Sequence, residues 1–367
     1  MNCPAIAGPS GAPALPNLDR ASIRATGMSS TSDHRSSRKP SFLLTYPLPA
    51  PGPELLAAAG SVEVLERSPT VDELVAASRS GSYDVLVAQL RDKLTETVLK
   101  NSRLRGVSVY SAGVDNVDIA AATRNGVMVA NTPDVLTDAT ADVAILLMLA
   151  SARRAVEADR CVRAGQFAGW SSEFMLGLDV SGRTLGLAGF GRIARATARR
   201  ALGFDMRVLY CPRPPGDAPS SNPDLGTLAG RVERRSWPEL IAESDFLSLH
   251  VPLADDTHHL VDGDTLEAMK SSAVLVNTAR GPIVDEGALV QALRSGEIAA
   301  AGLDVYEHEP AVADGLLALA NTVLLPHIGS ATVSVRAEMA RLCAQNAVEL
   351  AAGRQPLAAV NPEAWRA

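Results

Sequence analysis

The chain has 367 residues, 47% of them hydrophobic and 20% charged, enough for two ordinary globular domains of about 150 residues each. Thirty-four basic against 41 acidic side chains give a formal net charge of −7, which argues against a nucleic-acid partner, since that needs clustered positive charge. Cys3, Cys161, Cys211 and Cys343 lie far apart, without a C-x-x-C or a metal-ligand spacing, so neither a disulfide framework nor a metal site is expected, and a reducing, cytoplasmic setting is.

Residues 1–40 are dominated by Pro, Gly, Ser, Thr and Ala, and their large apolar residues are too sparse to form a packed face. Pro4, Pro9, Pro13 and Pro16 break any amphipathic targeting helix. A disordered N-terminal extension is expected there. From Phe42 onward short apolar runs at 42–45, 62–65 and 85–87 read as strands, with helical patterns at 54–59 and 71–78 between them. A helix over 138–154 follows, apolar nearly all round between 143 and 150. Such a helix is normally buried between layers, and its apolar run is far short of the roughly 20 residues of a membrane span. A second series of strands is expected at 183–188, 207–210, 246–249, 274–277, 300–305 and 323–325. Strand and helix alternating in this way imply an α/β protein with parallel sheets.

Gly186-Leu-Ala-Gly189-Phe-Gly191-Arg-Ile-Ala194 follows an apolar strand and opens a helix, the context in which G-x-G-x-x-A signals a dinucleotide. Gly189 permits the tight turn, Gly191 lets the backbone approach the diphosphate, and Ala194 keeps the helix near the sheet. The helix N-terminus then offers free N–H groups and a positive dipole end. An NAD site wants an acid about 20 residues on. The next strand instead ends Tyr210-Cys211-Pro212-Arg213, and Arg213 could pair with a 2′-phosphate through its guanidinium fork. NADP(H) is therefore the preferred cofactor, with NAD(H) possible.

Three strand ends carry ionisable groups: Asn277-Thr-Ala-Arg280, Asp304 with Glu309, and Pro326-His327. Open α/β sheets bind ligands outside the carboxyl ends of their strands. Reducing a 2-oxo acid requires a cation for the carboxylate and ketone, an acid to protonate the alkoxide, and a group to orient that acid. Arg280 suits the first task, being always ionised and bidentate toward carboxylates. His327 suits the second, and Glu309 the third, because a carboxylate beside an imidazole fixes the ring and favours its charged form. Each also has a plainer reading: a structural ion pair, a helix cap and a solvated turn acid. His34, His250, His258, His259 and His308 read as surface or packing residues, and no metal motif is present.

Taken together these residues resemble the NAD(P)-dependent D-isomer-specific 2-hydroxyacid dehydrogenases. The resemblance rests on the Gly189 fingerprint, Asn277-Thr-Ala-Arg280-Gly, Asp304 with Glu309, and Pro326-His327-Ile-Gly-Ser-Ala-Thr332, and runs from about Phe42 to Pro362. It implies catalytic Arg280, Glu309 and His327, with His327 as proton donor in reduction. The Ala112–Gly113 backbone, together with Arg280, is implied to hold the substrate carboxylate. Arg192, Ile193, Thr257, Thr278 and Asp304 are implied cofactor contacts beside Gly189, Gly191 and Arg213. Within the family, the segment from Thr132-Pro133 to Asp142 and the ending Ala359-Val-Asn-Pro362 look like bacterial glyoxylate/hydroxypyruvate reductases and 2-ketogluconate reductases.

The expected architecture is two doubly wound, Rossmann-like parallel-sheet domains with an interdomain cleft. Residues 41–137 plus 329–367 would form the substrate domain and 138–328 the dinucleotide-binding domain. The expected activity is NADPH-dependent reduction of a short 2-oxo acid to the D-2-hydroxy acid. NAD-dependent 3-phosphoglycerate or other D-2-hydroxyacid oxidation is one alternative, and a non-catalytic, NAD(P)-sensing corepressor-like protein another. A homodimer through the 138–154 region is implied by resemblance alone; neither a membrane nor a nucleic-acid partner is expected.

Overall fold

In the computed structural model, which describes residues 38–216 and 225–365, twelve short strands form two all-parallel sheets. The expectation for residues 1–40 falls, up to residue 37, outside the described residues. The first sheet contains β1 (Ser41–Leu44), β2 (Ser61–Val64), β3 (Val85–Ala88), β4 (Gly106–Val109) and β5 (Met128–Ala130), in the order β2-β1-β3-β4-β5. The second contains β6 (Thr184–Ala188), β7 (Arg207–Cys211), β8 (Val232–Arg234), β9 (Phe246–Leu249), β10 (Val274–Asn277), β11 (Ala300–Leu303) and β12 (Thr322–Leu324), ordered β12-β11-β10-β9-β6-β7-β8. The Val/Leu-rich runs of β3, β9 and β10 are buried at every position, as helix-covered parallel strands require.

Three strands escape the sequence reading. β4 is interrupted by Ser108, whose hydroxyl donates to the Cys343 carbonyl at 2.8 Å. β5 is three residues long, and β8 is a polar edge strand with only Val232 buried. Strand β11 stops at Leu303, two residues before the expected end, because Asp304 turns its carboxylate onto the next loop.

The chain passes between the sheets twice. The helix Thr137–Ala152 packs on the second sheet against β10, β11, β12 and the helix Arg192–Leu202. Arg200 of that second helix reaches Asp142 at 2.6 Å and Asp138 at 3.1 Å. The helix Val333–Ala351 returns to the first sheet, where Met339, Ala340, Cys343, Ala347 and Leu350 join the core formed by Phe42, Leu44, Val85 and Val87. Each sheet thus has a point where strand order reverses, between β1 and β3 and between β6 and β9, and a crevice for ligands opens outside such points. Both sheets lie within the compact unit Lys39–Ala367.

Candidate active site

At the second reversal point, β6 is followed by Gly189 with φ +89°, a backbone conformation that costs a residue with a Cβ but not glycine. A Cβ there would also lie 2.7 Å from the His250 carbonyl oxygen, so the loops after β6 and β9 touch. Gly191 differs: a Cβ built on it meets no atom within 4 Å, leaving its face open to a ligand. The helix Arg192–Leu202 starts there with Ala194 fully buried, Ile193 half-buried and Arg192 turned outward to Asp134 at 2.6 Å. At the tip of β7, Arg213 is exposed and has no ion pair with a described residue.

Two threonines behave differently. The Thr278 hydroxyl, at the end of β10, is buried without a hydrogen-bond partner among the described residues. That of Thr257 is committed to its own loop, donating to the Pro252 carbonyl at 2.7 Å and accepting from the Ala254 N–H at 2.8 Å.

The ionisable groups converge around the ends of β10, β11 and β12. His327 has φ +54° and is held by its neighbours: the N–H groups of Ile328 and Gly329 each donate to Asp304 at 2.7 Å. Its Nδ1 is 2.9 Å from Glu309 Oε2, so Nε2 is the ring nitrogen left for other partners. Glu309 also accepts from the Tyr306 N–H at 3.1 Å. Burial pushes the Glu309 carboxyl up, but the hydrogen bond and charge of His327, with help from the Arg280 charge, hold it below its ordinary value. Asp304 goes the other way: burial outweighs its two backbone donors, and its carboxyl titrates above the ordinary value.

Arg280 leaves the end of β10 toward the first sheet. Its Nε donates to Asp115 Oδ1 at 2.8 Å and its Nη1 to the Ala279 carbonyl at 2.7 Å. Nη2 lies against Gly113, only 1.8 Å from where a Cβ would stand. The adjoining carbonyls are pinned from behind: Ala112 O accepts from Asn131 Nδ2 at 2.6 Å, and Gly113 O from Ser111 Oγ at 2.5 Å. Gly281 carries the chain past Tyr306, whose carbonyl carbon would stand 1.8 Å from an added Cβ. The Arg280 and Glu309 loops are thus packed backbone against backbone.

The family model for the D-isomer specific 2-hydroxyacid dehydrogenase NAD binding domain matches residues 145–329. The chain is 44% identical over 330 residues to the glyoxylate reductase of Thermococcus kodakarensis, covering 89% of this chain and 97% of that protein. This chain belongs to the D-isomer specific 2-hydroxyacid dehydrogenases. Among solved structures, the dehydrogenase is similar to a glyoxylate reductase from Paecilomyes thermophila, with TM-score 0.78, 33% identity, and coverage of 88% of this chain and 98% of that one. It is also similar to an NADPH-dependent glyoxylate/hydroxypyruvate reductase from Sinorhizobium meliloti in complex with NADP and malonate, with TM-score 0.78, 32% identity, and coverage of 90% and 99%.

The dehydrogenase is therefore an NAD(P)-dependent oxidoreductase, and its residues fit a nicotinamide dinucleotide. The open face of Gly191 and the unpartnered Thr278 hydroxyl are the features that such a ligand would fill. Among the described residues no helix is long and apolar enough to cross a membrane, and no cluster of three or more His, Cys, Asp or Glu side chains could hold a metal ion.

Sequence reasoning missed Asp115 and Asn131, and it quoted Gly281 within a motif without giving it a role. Asp115 follows the Ala112–Gly113 backbone expected to hold the substrate carboxylate, so an acid within two residues of that cradle was the available signal. Histidines read as packing or surface have defined places: His250 is half-buried with its Nε2 2.9 Å from Ser248 Oγ, and His259 pairs with Glu307 at 2.9 Å.

Proposed function

We propose that this dehydrogenase reduces short 2-oxo acids, with glyoxylate, hydroxypyruvate and 2-ketogluconate as the candidates, to D-2-hydroxy acids using NADPH. The observation that carries the reading is the paired arrangement of His327 Nδ1 on Glu309 and Arg280 Nη2 beside Gly113. Arg280 and the Ala112 and Gly113 N–H groups hold the substrate carboxylate, an always-ionised guanidinium beside fixed amides being well matched to it. When bound, the reduced dinucleotide supplies a hydride to the ketone carbon. His327 Nε2 gives its proton to the ketone oxygen, while Glu309 fixes the ring through Nδ1. Asp304 keeps the His327 loop in place from its buried end.

Gly189, Gly191, Arg192 and Ile193 would hold the diphosphate at the helix N-terminus, with Thr278 nearer the reacting end. Thr257 would shape that pocket through its loop rather than with its hydroxyl. Arg213, beside Pro212 where NAD-selective sites place an acid, supports a preference for the 2′-phosphate of NADPH. The same reading divides the chain into a substrate domain, 41–137 with 329–367, and a dinucleotide domain, 138–328. Exposed apolar side chains recur along the chain at Leu146, Val162, Phe167, Trp170, Phe174 and Leu176, the rings of Phe167 and Phe174 lying 6.5 Å apart, and apolar side chains left in water over this stretch support a homodimer.

Turnover tests the proposal directly. Loss of NADPH absorbance should follow addition of glyoxylate or hydroxypyruvate, with a lower kcat/KM when NADH replaces it. Failure to reduce any 2-oxo acid with either cofactor, or faster NAD-linked oxidation of 3-phosphoglycerate, would overturn it.

A further inference from the structure

We propose that Asp115 is a positioning residue for this reaction, anchoring Arg280 by its Nε so that the free Nη2 edge is presented beside the Ala112–Gly113 backbone. The inference rests on the reading of Arg280 as the group that binds the substrate carboxylate. Arg280 comes from the seven-stranded sheet and Asp115 from the loop after β4 of the five-stranded one, so the 2.8 Å bond is made across the two sheets. A guanidinium has donors on three nitrogens. Here Nε is taken by Asp115 and Nη1 by the Ala279 carbonyl, which leaves Nη2 as the uncommitted corner, and that corner lies against Gly113.

The anchor is itself fixed. Next to Asp115, the Asn116 amide donates to the carbonyls of Asp92 at 2.8 Å and Gln89 at 3.1 Å, and the Asn116 carbonyl accepts from the Leu94 N–H at 2.8 Å. The side chains of Arg280 and Asp115 are 21% and 28% exposed, too enclosed for the swinging surface pairs that contribute little. An arginine on a long flexible stem loses affinity to the entropy of being ordered, and a preset partner removes that cost before substrate arrives. Asp115 also partly offsets the guanidinium charge. The geometry favours orientation over raw attraction, because the carboxylate occupies Nε and leaves the Gly113-facing edge open.

The test uses the full chain with glyoxylate and NADPH, comparing Asp115→Ala, Asp115→Asn, Asp115→Glu and Arg280→Ala. Asp115→Ala should raise the KM for glyoxylate roughly tenfold and lower kcat less, since small misplacements of a binding group cost up to about 100-fold. The KM for NADPH and the Tm should stay near the parent values, which a merely structural defect would not allow. Asp115→Asn keeps an oxygen for Nε and should recover most of the lost affinity. Asp115→Glu keeps the charge but displaces it by a methylene, so its KM for glyoxylate should also rise; it decides the matter if the alanine variant does not fold. A parental glyoxylate KM in Asp115→Ala or Asp115→Glu, with Arg280→Ala impaired, overturns this inference alone. Unchanged kinetics in Arg280→Ala would instead remove the reading of Arg280 on which it rests.

Discussion

The five-stranded and seven-stranded halves contribute different materials to one site. The first brings backbone, the Ala112–Gly113 turn with its carbonyls held by Asn131 and Ser111, together with the one carboxylate, Asp115, that accepts from Arg280 Nε. The second brings the side chains that carry or move charge, Arg280, Glu309 and His327, with Asp304 behind them. Of the six histidines, all but the undescribed His34 lie between residues 250 and 327, within the seven-stranded half. Under the proposed function, chemistry is concentrated in one half and the shape of the substrate seat in the other, which predicts that lesions in the two will be kinetically distinguishable.

The sharpest break of that division is His327→Ala. It should lower kcat by roughly 10²–10⁴, the loss expected for a general acid, with little change in either KM; near-parental turnover in a stopped-flow or steady-state assay would remove the proton-donor role. His250 gives the next effect, in stability. Burial lowers its pKa from 6.5 to about 4, so above pH 6.5 it is neutral whether folded or unfolded. As the pH falls from 6.5 to 4 only the unfolded chain takes up its proton, and folding should lose up to about 3 kcal/mol. Urea unfolding at pH 7 and pH 4.5 should show a smaller acid loss in His250→Gln than in the parent; equal losses would reject the burial argument.

Gly191→Ala tests the same half from the cofactor side. No protein atom crowds the new methyl, so Tm should hold while the KM for NADPH rises about tenfold. Unchanged cofactor affinity would mean that the dinucleotide does not approach this turn. In the five-stranded half, Asn131→Ala frees the Ala112 carbonyl and should raise the KM for glyoxylate several-fold, about 1 kcal/mol for one hydrogen bond, with kcat nearly constant. A kcat loss without a KM change would erase the contrast between the halves. The mildest expected effect is a few-fold shift of cofactor preference toward NADH in Pro212→Asp, read as the ratio of kcat/KM values.

What could be read in advance follows the same line. The Gly189 turn is legible because its requirements are local: a strand before, a helix after and a glycine at positive φ. Arg280, Glu309 and His327 are visible as residue types at strand ends, and their spacing carries the family resemblance. The first sheet is less legible, since β4 and β5 are short and Ser108 breaks the apolar run of β4. Partnerships between the halves could not be read at all. Nothing local to Asp115 names Arg280 as its partner 165 positions away. Such contacts are set by how two sheets meet, a property of neither segment alone.

The two passages between the sheets are brief, from β5 at Ala130 to the helix at Thr137 and from β12 at Leu324 to the helix at Val333. If the proposed division of labour holds, exchange at both seams would let a lineage acquire a new selectivity module while its redox machinery is inherited whole. Such a graft would disturb Asp115 with Arg280 and Asp134 with Arg192, ion pairs that stitch donor to recipient among the described residues, so compatible chimeras should be those that carry both partners of each.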